Sequence, residues 1–336
     1  MTIREELAQV VAGRGPDLLG GWLGPLEVKQ DVLAVLHAGR NLLLEGPVGS
    51  GKTMLASAVA AGLPPVRVAG CDFGCLADEP SCPQCRAGPV RGAPHVVAGA
   101  ERLVRVQGSP DLVAEDLTGD VDPVAALEYG ALDVRALRPG RLLRAHRRIC
   151  LVDELNRLSE RLQNLLLELL EEGAMTIGGY DVRFPVDTVV VATMNPSEYV
   201  GVERLSEALA DRFERVRLDY PSAADEVRIL RSRATAGRGA APAAAAEAIV
   251  AFANALRDDP DVQTPPSVRA TLAAYDLACS RRAVDGSRSW GDAVRDGLRL
   301  AFRGRVALAA GAAETDRVDR WLDTRLAGFA PAAGLG

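Results

Sequence analysis

The chain has 336 residues, of which 48% are apolar, with 39 Lys and Arg against 45 Asp and Glu, a net charge of -6. That length suits about two domains with a sizeable core, and the acidic balance argues against a chain-wide basic field that recruits nucleic acid. Met1-Thr2-Ile3-Arg4-Glu5-Glu6 lacks the basic-then-apolar plan of a secretory signal, and the Ala-rich run from Ala240 is broken by Pro242 and Glu247. A cytoplasmic location without a membrane span is therefore expected, and in that compartment the six cysteines are reduced thiols or metal ligands.

In chain order, residues 3–12 and 26–38 read as helices around a Gly/Pro-rich passage. Asn41-Leu42-Leu43-Leu44-Glu45 reads as a short buried strand and residues 54–61 as a helix. Between them, Gly46-Pro47-Val48-Gly49-Ser50-Gly51-Lys52-Thr53 meets G-x-x-x-x-G-K-[ST] at every fixed position. Its glycines let backbone N–H groups converge on phosphate oxygens, and the following helix N-terminus favours anions. Lys52 is placed to reach β- and γ-phosphates, and Thr53 to ligate magnesium.

After a predicted strand at 66–68, Cys71-Asp72-Phe73-Gly74-Cys75 and Cys82-Pro83-Gln84-Cys85 give the spacing C-x3-C-x6-C-x2-C. Four thiols on a Gly/Pro/Asp-rich loop can close a tetrahedral site, with zinc as the default occupant. Four free thiols and an iron-sulfur cluster stand as alternatives, with His95 as a substitute ligand. Cys150 and Cys279 lie in apolar contexts that suit packing.

Residues 103–106 read as a strand, 108–119 as a capped acidic segment, 123–137 as an irregular excursion and 139–146 as a helix. Arg138, Arg141, Arg144 and Arg147 recur every third residue, either a solvated face or a contact for an acidic partner, a neighbouring subunit or DNA. Ile149-Cys150-Leu151-Val152-Asp153-Glu154 is an apolar strand ending in two carboxylates, which a parallel sheet would aim at its ligand crevice. Asp153 would hold magnesium through water, and Glu154 would polarise the attacking water. A leucine-faced helix at 159–172 leads to a hairpin signalled by Gly178-Gly179. A further strand at 188–192 delivers Thr193-Met194-Asn195-Pro196.

The order of phosphate loop, Val152-Asp153-Glu154-Leu155-Asn156-Arg157, Glu171-Glu172-Gly173 with its hairpin, Ala192-Thr193-Met194-Asn195-Pro196 and Asp211-Arg212-Phe213 resembles AAA+ ATPases of the helix-2-insert group. The chain is similar both to MoxR-type ATPases and to the ATPase subunit of magnesium chelatase, over roughly residues 25–305. Ser109-Pro110-Asp111-Leu112 through Asp116-Leu117-Thr118-Gly119 resembles both; Arg138-Pro139-Gly140-Arg141 and the cysteine loop lean toward chelatase, and Leu155-Asn156-Arg157 toward MoxR. The resemblance implies an α/β core, residues 1–221, with a central parallel sheet flanked by helices, a Cys-rich insertion at 71–85 and a hairpin at 174–187. A smaller α-helical lid would follow at 222–336.

The same resemblance implies that Asn195 orients the hydrolytic water and that Arg212 reaches the γ-phosphate of a neighbouring subunit, with Arg204 and Arg215 as alternatives. Arg269, in Thr264-Pro265-Pro266-Ser267-Val268-Arg269, resembles the second sensor on the bound nucleotide. A trans-acting arginine needs a ring, usually a hexamer. Family partners are a von Willebrand A protein and a client metalloenzyme or chelatase catalytic subunit; nucleic acid is disfavoured by charge. Asp285-Gly286-Ser287-Arg288-Ser289 spells D-x-S-x-S but follows a helix rather than an apolar strand, so it reads as a polar loop and the von Willebrand A partner as a separate chain.

Overall fold

Leu42, Leu43 and Leu44 are each fully buried, so the strand Asn41–Glu45 (β1) is covered on both faces, the condition in which an uninterrupted apolar run suits a parallel sheet. In the computed structural model, residues 1–88, 92–177, 182–195, 205–233, 241–308 and 315–329 are described. With Leu103–Gln107 (β2), Arg148–Asp153 (β3), Thr188–Met194 (β4) and Phe213–Arg217 (β5), β1 forms a five-stranded sheet in the order β5-β1-β4-β3-β2. Every pairing in it is parallel.

The period-two alternation of strand side chains divides the core between the two faces. Leu42, Leu44, Ile149, Leu151, Val189 and Val191 pack with the helices Ile3–Arg14 (α1), Leu26–His37 (α2) and Lys52–Ala61 (α3). Leu43, Cys150, Val152, Val190 and Ala192 share the other face with Leu162, Leu166 and Leu169 of Glu160–Glu172 (α4) and with Cys75 and Cys82. Thr2 opens α1 with a capping box, its hydroxyl accepting from the Glu5 amide at 3.2 Å. Glu6 then forms a buried two-pronged pair with Arg102 at 2.7 Å, tying α1 to the segment that opens β2.

The chain divides into two units, residues 1–46 with 51–218 and residues 47–50 with 219–336. The second is helical: Ala223–Arg233 (α5), Ala243–Arg257 (α6), Val268–Val284 (α7), Trp290–Phe302 (α8) and Thr315–Gly328 (α9), with a two-stranded pairing of Val262–Thr264 and Ala307–Leu308. Its core draws on Ile249, Phe252, Tyr275, Leu298 and Phe302. Glu226, fully buried, is paired to Arg257 at 2.6 Å and accepts from the Thr271 hydroxyl at 2.7 Å. Among the described residues, no helix is long and apolar enough to cross a membrane.

Some local expectations change. The helix predicted at 139–146 reduces to Arg141–Arg144, because Leu137–Pro139 pairs antiparallel with Gly119–Val121 and Arg147 takes a left-handed φ of 61°. Arg147 turns back to Asp187 at 2.9 Å, so the four arginines form no continuous stripe. The excursion at 123–137 contains a helix, Pro123–Tyr129, capped by Asp122, whose carboxylate accepts from the Val124 and Ala125 amides. Val66–Val68 pairs antiparallel with His95–Val97 outside the main sheet. The hairpin strands are Ala174–Ile177 and Val182–Pro185; Gly178 and Gly179 lie outside the described residues, as do Pro196 and Arg204.

Candidate active site

β1, β3 and β4 all run the same way, so their carboxyl ends open on one edge of the sheet, where α/β sheets bind ligands. The phosphate loop follows β1 there. Gly49 and Gly51 have φ of 82° and 92°, conformations that a side chain would strain. The Lys52 ammonium, on the first residue of α3 and only 8% exposed, donates to the Gly46 carbonyl at 2.7 Å. Ser50 Oγ is buried with no hydrogen-bond partner, an orphaned donor in the loop predicted to hold phosphate.

Asp153 closes β3 and is 7% exposed. Thr53 Oγ1 lies 3.2 and 3.3 Å from its two carboxylate oxygens, and Thr193 Oγ1 donates to Oδ1 at 2.5 Å. A hydroxyl and a carboxylate side by side are hard oxygen donors, so the pair fits magnesium. Glu154 follows in a left-handed conformation, φ 58°, costly for a non-glycine residue. Its amide donates to Thr193 Oγ1 at 3.0 Å, and its carboxylate accepts from Arg157 at 3.1 Å and Gln107 at 3.5 Å.

Asn195 follows β4, and its carbonyl accepts from the buried Asn156 amide at 3.3 Å. Arg212 is apart from this group: its guanidinium, 39% exposed, is engaged by Glu171 at 2.6 Å and Asp211 at 3.2 Å. In the second unit, Arg269 is exposed in the first turn of α7, behind the N-cap Ser267. Nothing in the sequence singles out Arg105, although its guanidinium reaches both Asp153 Oδ2 and Gln107 Oε1. The signal available was its two-residue spacing from Gln107 on a strand bordering the acidic one.

The four loop cysteines converge: the Sγ atoms of Cys71, Cys75, Cys82 and Cys85 all lie within 4.8 Å of one another. Tetrahedral zinc with bonds of about 2.3 Å would draw such sulfurs only slightly closer. Three backbone amides donate to them at 3.3 Å, Cys75 to Cys71 Sγ, Cys82 to Cys75 Sγ and Cys85 to Cys82 Sγ. Cys75 is held below the ordinary thiol range by hydrogen bonding with Cys71 and Cys82; Cys82 is pushed up by hydrogen bonding with Cys71 and Cys75, and Cys85 to about 12, chiefly by burial. Crowding permits one thiolate at its neighbours' expense, the imbalance that a divalent cation relieves. His95 does not join the cluster; its ring contacts the Ala93 carbonyl at 3.1 Å.

A phosphate loop after the first strand of a five-stranded parallel sheet, with an acidic pair closing a neighbouring strand, defines a P-loop nucleotide-site architecture. Comparison with known proteins agrees. Residues 95–215 match the ATPase family associated with various cellular activities (AAA), and residues 23–71 match magnesium chelatase, subunit ChlI. The chain is 35% identical over 179 residues to the magnesium-chelatase 38 kDa subunit of Acidiphilium rubrum, covering 52% of this chain and 49% of that one. It is 35% identical over 143 residues to the chaperone MoxR1 of Mycobacterium tuberculosis, covering 40% and 34%. The chain thus spans half or less of the length of these curated relatives. NtrX from Brucella abortus, in complex with ADP, shares the fold at a TM-score of 0.53 and 16% identity, over 90% of this chain and 60% of that one. Over these residues the chain is similar to AAA+ ATPases of the MoxR and magnesium-chelatase type.

Proposed function

We propose that the chain is a subunit of a cytoplasmic ATP-hydrolysing ring, hexameric as in its family, that remodels a partner complex or drives insertion of a metal or cofactor into it. The observation that carries this reading is the meeting of Thr53, Asp153 and Thr193 at the carboxyl ends of parallel strands, with Glu154 next in the chain and the Lys52 ammonium buried against the Gly46 carbonyl of the phosphate loop. Residues 46–53 cradle the phosphates of ATP with Lys52 on the outer two, and Arg269 contacts the nucleotide. Thr53 and, through water, Asp153 would hold magnesium, which would supply charge neutralisation at the phosphates. Glu154 takes the proton of the attacking water, and Asn195 orients that water. Arg212 acts in trans, meeting charge that develops on the neighbour's γ-phosphate.

The partner set is a von Willebrand A protein on a separate chain, together with a client metalloenzyme or a chelatase catalytic subunit. The cysteine cluster holds zinc as a structural site, supported by four convergent thiols and three N–H···S bonds.

The test is ATP turnover and client capture with one set of proteins. Wild-type chain should release phosphate from ATP, Lys52→Ala should bind little nucleotide, and Glu154→Gln should bind ATP without turning it over. The ATP-locked Glu154→Gln chain should retain a von Willebrand A protein from native cytosol; retention of nucleic acid alone would replace this reading with a DNA motor. Wild-type chain that neither binds nor hydrolyses ATP would sink it altogether.

A further inference from the structure

Both oxygens of Asp153 are in use. Oδ1 accepts from Thr193 at 2.5 Å and from Thr53 at 3.3 Å, and Oδ2 lies 3.2 Å from Thr53 and is bound by the Arg105 guanidinium. Arg105 reaches this oxygen from β2, where Gln107 lies in register with Asp153 and Arg105 with Leu151. Side chains two apart on a strand share a face, which lets Arg105 Nη2 also donate to Gln107 Oε1 at 2.9 Å. The arginine thus leans along the strand toward the carboxylate, onto the oxygen nearer the Thr53 hydroxyl. That is the carboxylate face on which a magnesium ion shared by Thr53 and Asp153 would place its charge.

We propose that Arg105 is a built-in counter-cation for Asp153 that competes with magnesium, so that metal loading requires its guanidinium to leave the carboxylate. The inference rests on residues 46–53 with Asp153 forming a magnesium–nucleotide site. A magnesium ion held by Thr53 and, through water, by Asp153 would stand close to the guanidinium, and two such cations beside one buried carboxylate repel each other. The pair is also unequally held: Asp153 is 9% exposed at its side chain, whereas Arg105 is 50% exposed and free to swing into water. Its backbone stays fixed, because the Arg105 carbonyl accepts from Arg141 Nη1 at 2.7 Å. Without metal, Arg105 neutralises Asp153 and spares incoming phosphates a buried negative charge. With metal, that service is redundant and its displacement costs affinity. Arg105 therefore narrows the difference between metal-free and metal-bound nucleotide binding.

The test is equilibrium binding of a fluorescent ADP analogue to the full chain, in excess EDTA and across a magnesium titration. Removing a half-exposed charge-assisted bond is worth roughly a threefold to tenfold change. Arg105→Ala should weaken metal-free binding by about that factor and lower the magnesium midpoint by a similar one, so the ratio of the two affinities widens. Arg105→Gln should follow Arg105→Ala, and Arg105→Lys, which keeps the charge, should stay nearer wild type. A merely structural pair would shift both affinities together and leave the midpoint unmoved, and that result overturns the proposal. Should wild-type chain bind no analogue under either condition, the nucleotide reading itself fails and this inference with it.

Discussion

Thr193 Oγ1 donates to Asp153 Oδ1 at 2.5 Å and accepts the Glu154 amide at 3.0 Å, so one hydroxyl fixes both acidic residues of the site. Thr193 is 1% exposed, and water cannot take over either bond. Thr193→Val keeps the shape and removes the hydroxyl, leaving a buried amide without its acceptor and the carboxylate short of a donor. The expected cost is about 1–3 kcal/mol in denaturant unfolding, with hydrolysis down on the order of tenfold. Thr193→Ser should recover most of both. Unchanged turnover in Thr193→Val would show that Glu154 is positioned without it.

Gly108 is required by space, not by backbone conformation. Its amide donates to the Asp153 carbonyl at 2.7 Å, and a Cβ there would stand 2.1 Å from the Glu154 carbonyl oxygen and 2.9 Å from that of Asp153. Gly108→Ala must therefore force a shift between its own backbone and the Asp153–Glu154 segment. A displacement near 1 Å at a catalytic group costs on the order of a hundredfold in rate, and overpacking adds about 1–3 kcal/mol of destabilisation. Turnover and unfolding of this one variant check both; wild-type rates would show that the strand has room to give.

The cysteine cluster makes a stability prediction, because Cys75 and Cys82 are fully buried within the core that also holds Leu162, Leu166 and Phe184. Phe73, from the same loop, meets Phe184 edge-on at 4.9 Å. Elemental analysis should find about one zinc per chain, and Cys75→Ser or metal stripping should cost upwards of about 3 kcal/mol. Zinc displaces protons from thiols, and Cys85 is pushed up to about 12, so metal affinity should fall as pH falls. Metal far below one per chain in freshly purified protein would refute the site.

Much of this was legible from local chemistry. The phosphate loop, the run of Ile149 to Glu154 and the cysteine spacing announce themselves because each needs fixed residue types at fixed offsets. The strand order was not legible from composition or spacing, since parallel pairing is made between segments far apart in sequence. Arg105 was opaque for the same reason: its partner Asp153 lies across a strand pairing. The failed helix at 139–146 shows the opposite error, where a local period of three was overridden by the pairing of Leu137–Pro139 and the ion pair of Arg147 with Asp187.

Arg212 supports the last prediction, because in this chain alone its guanidinium is held by Glu171 at 2.6 Å and Asp211 at 3.2 Å. Half-exposed ion pairs of this kind are worth about 0–1 kcal/mol, a hold that a neighbouring subunit's phosphate can overcome. In the proposed ring Arg212 acts on the neighbour's nucleotide, while Glu154 acts on its own. Arg212→Ala and Glu154→Gln chains should each be nearly inactive, and mixing them should restore part of the turnover, since some interfaces then carry both intact groups. Arg212→Ala should keep its nucleotide affinity within about twofold, as a group absent from the chain's own site would. Glu171→Ala, which removes the shorter of these two ion pairs and leaves that with Asp211, should leave turnover intact or raise it. Co-assembled mixtures that stay silent would place Arg212 in its own subunit's fold rather than its neighbour's site, and Arg215→Ala would then be mixed in the same way.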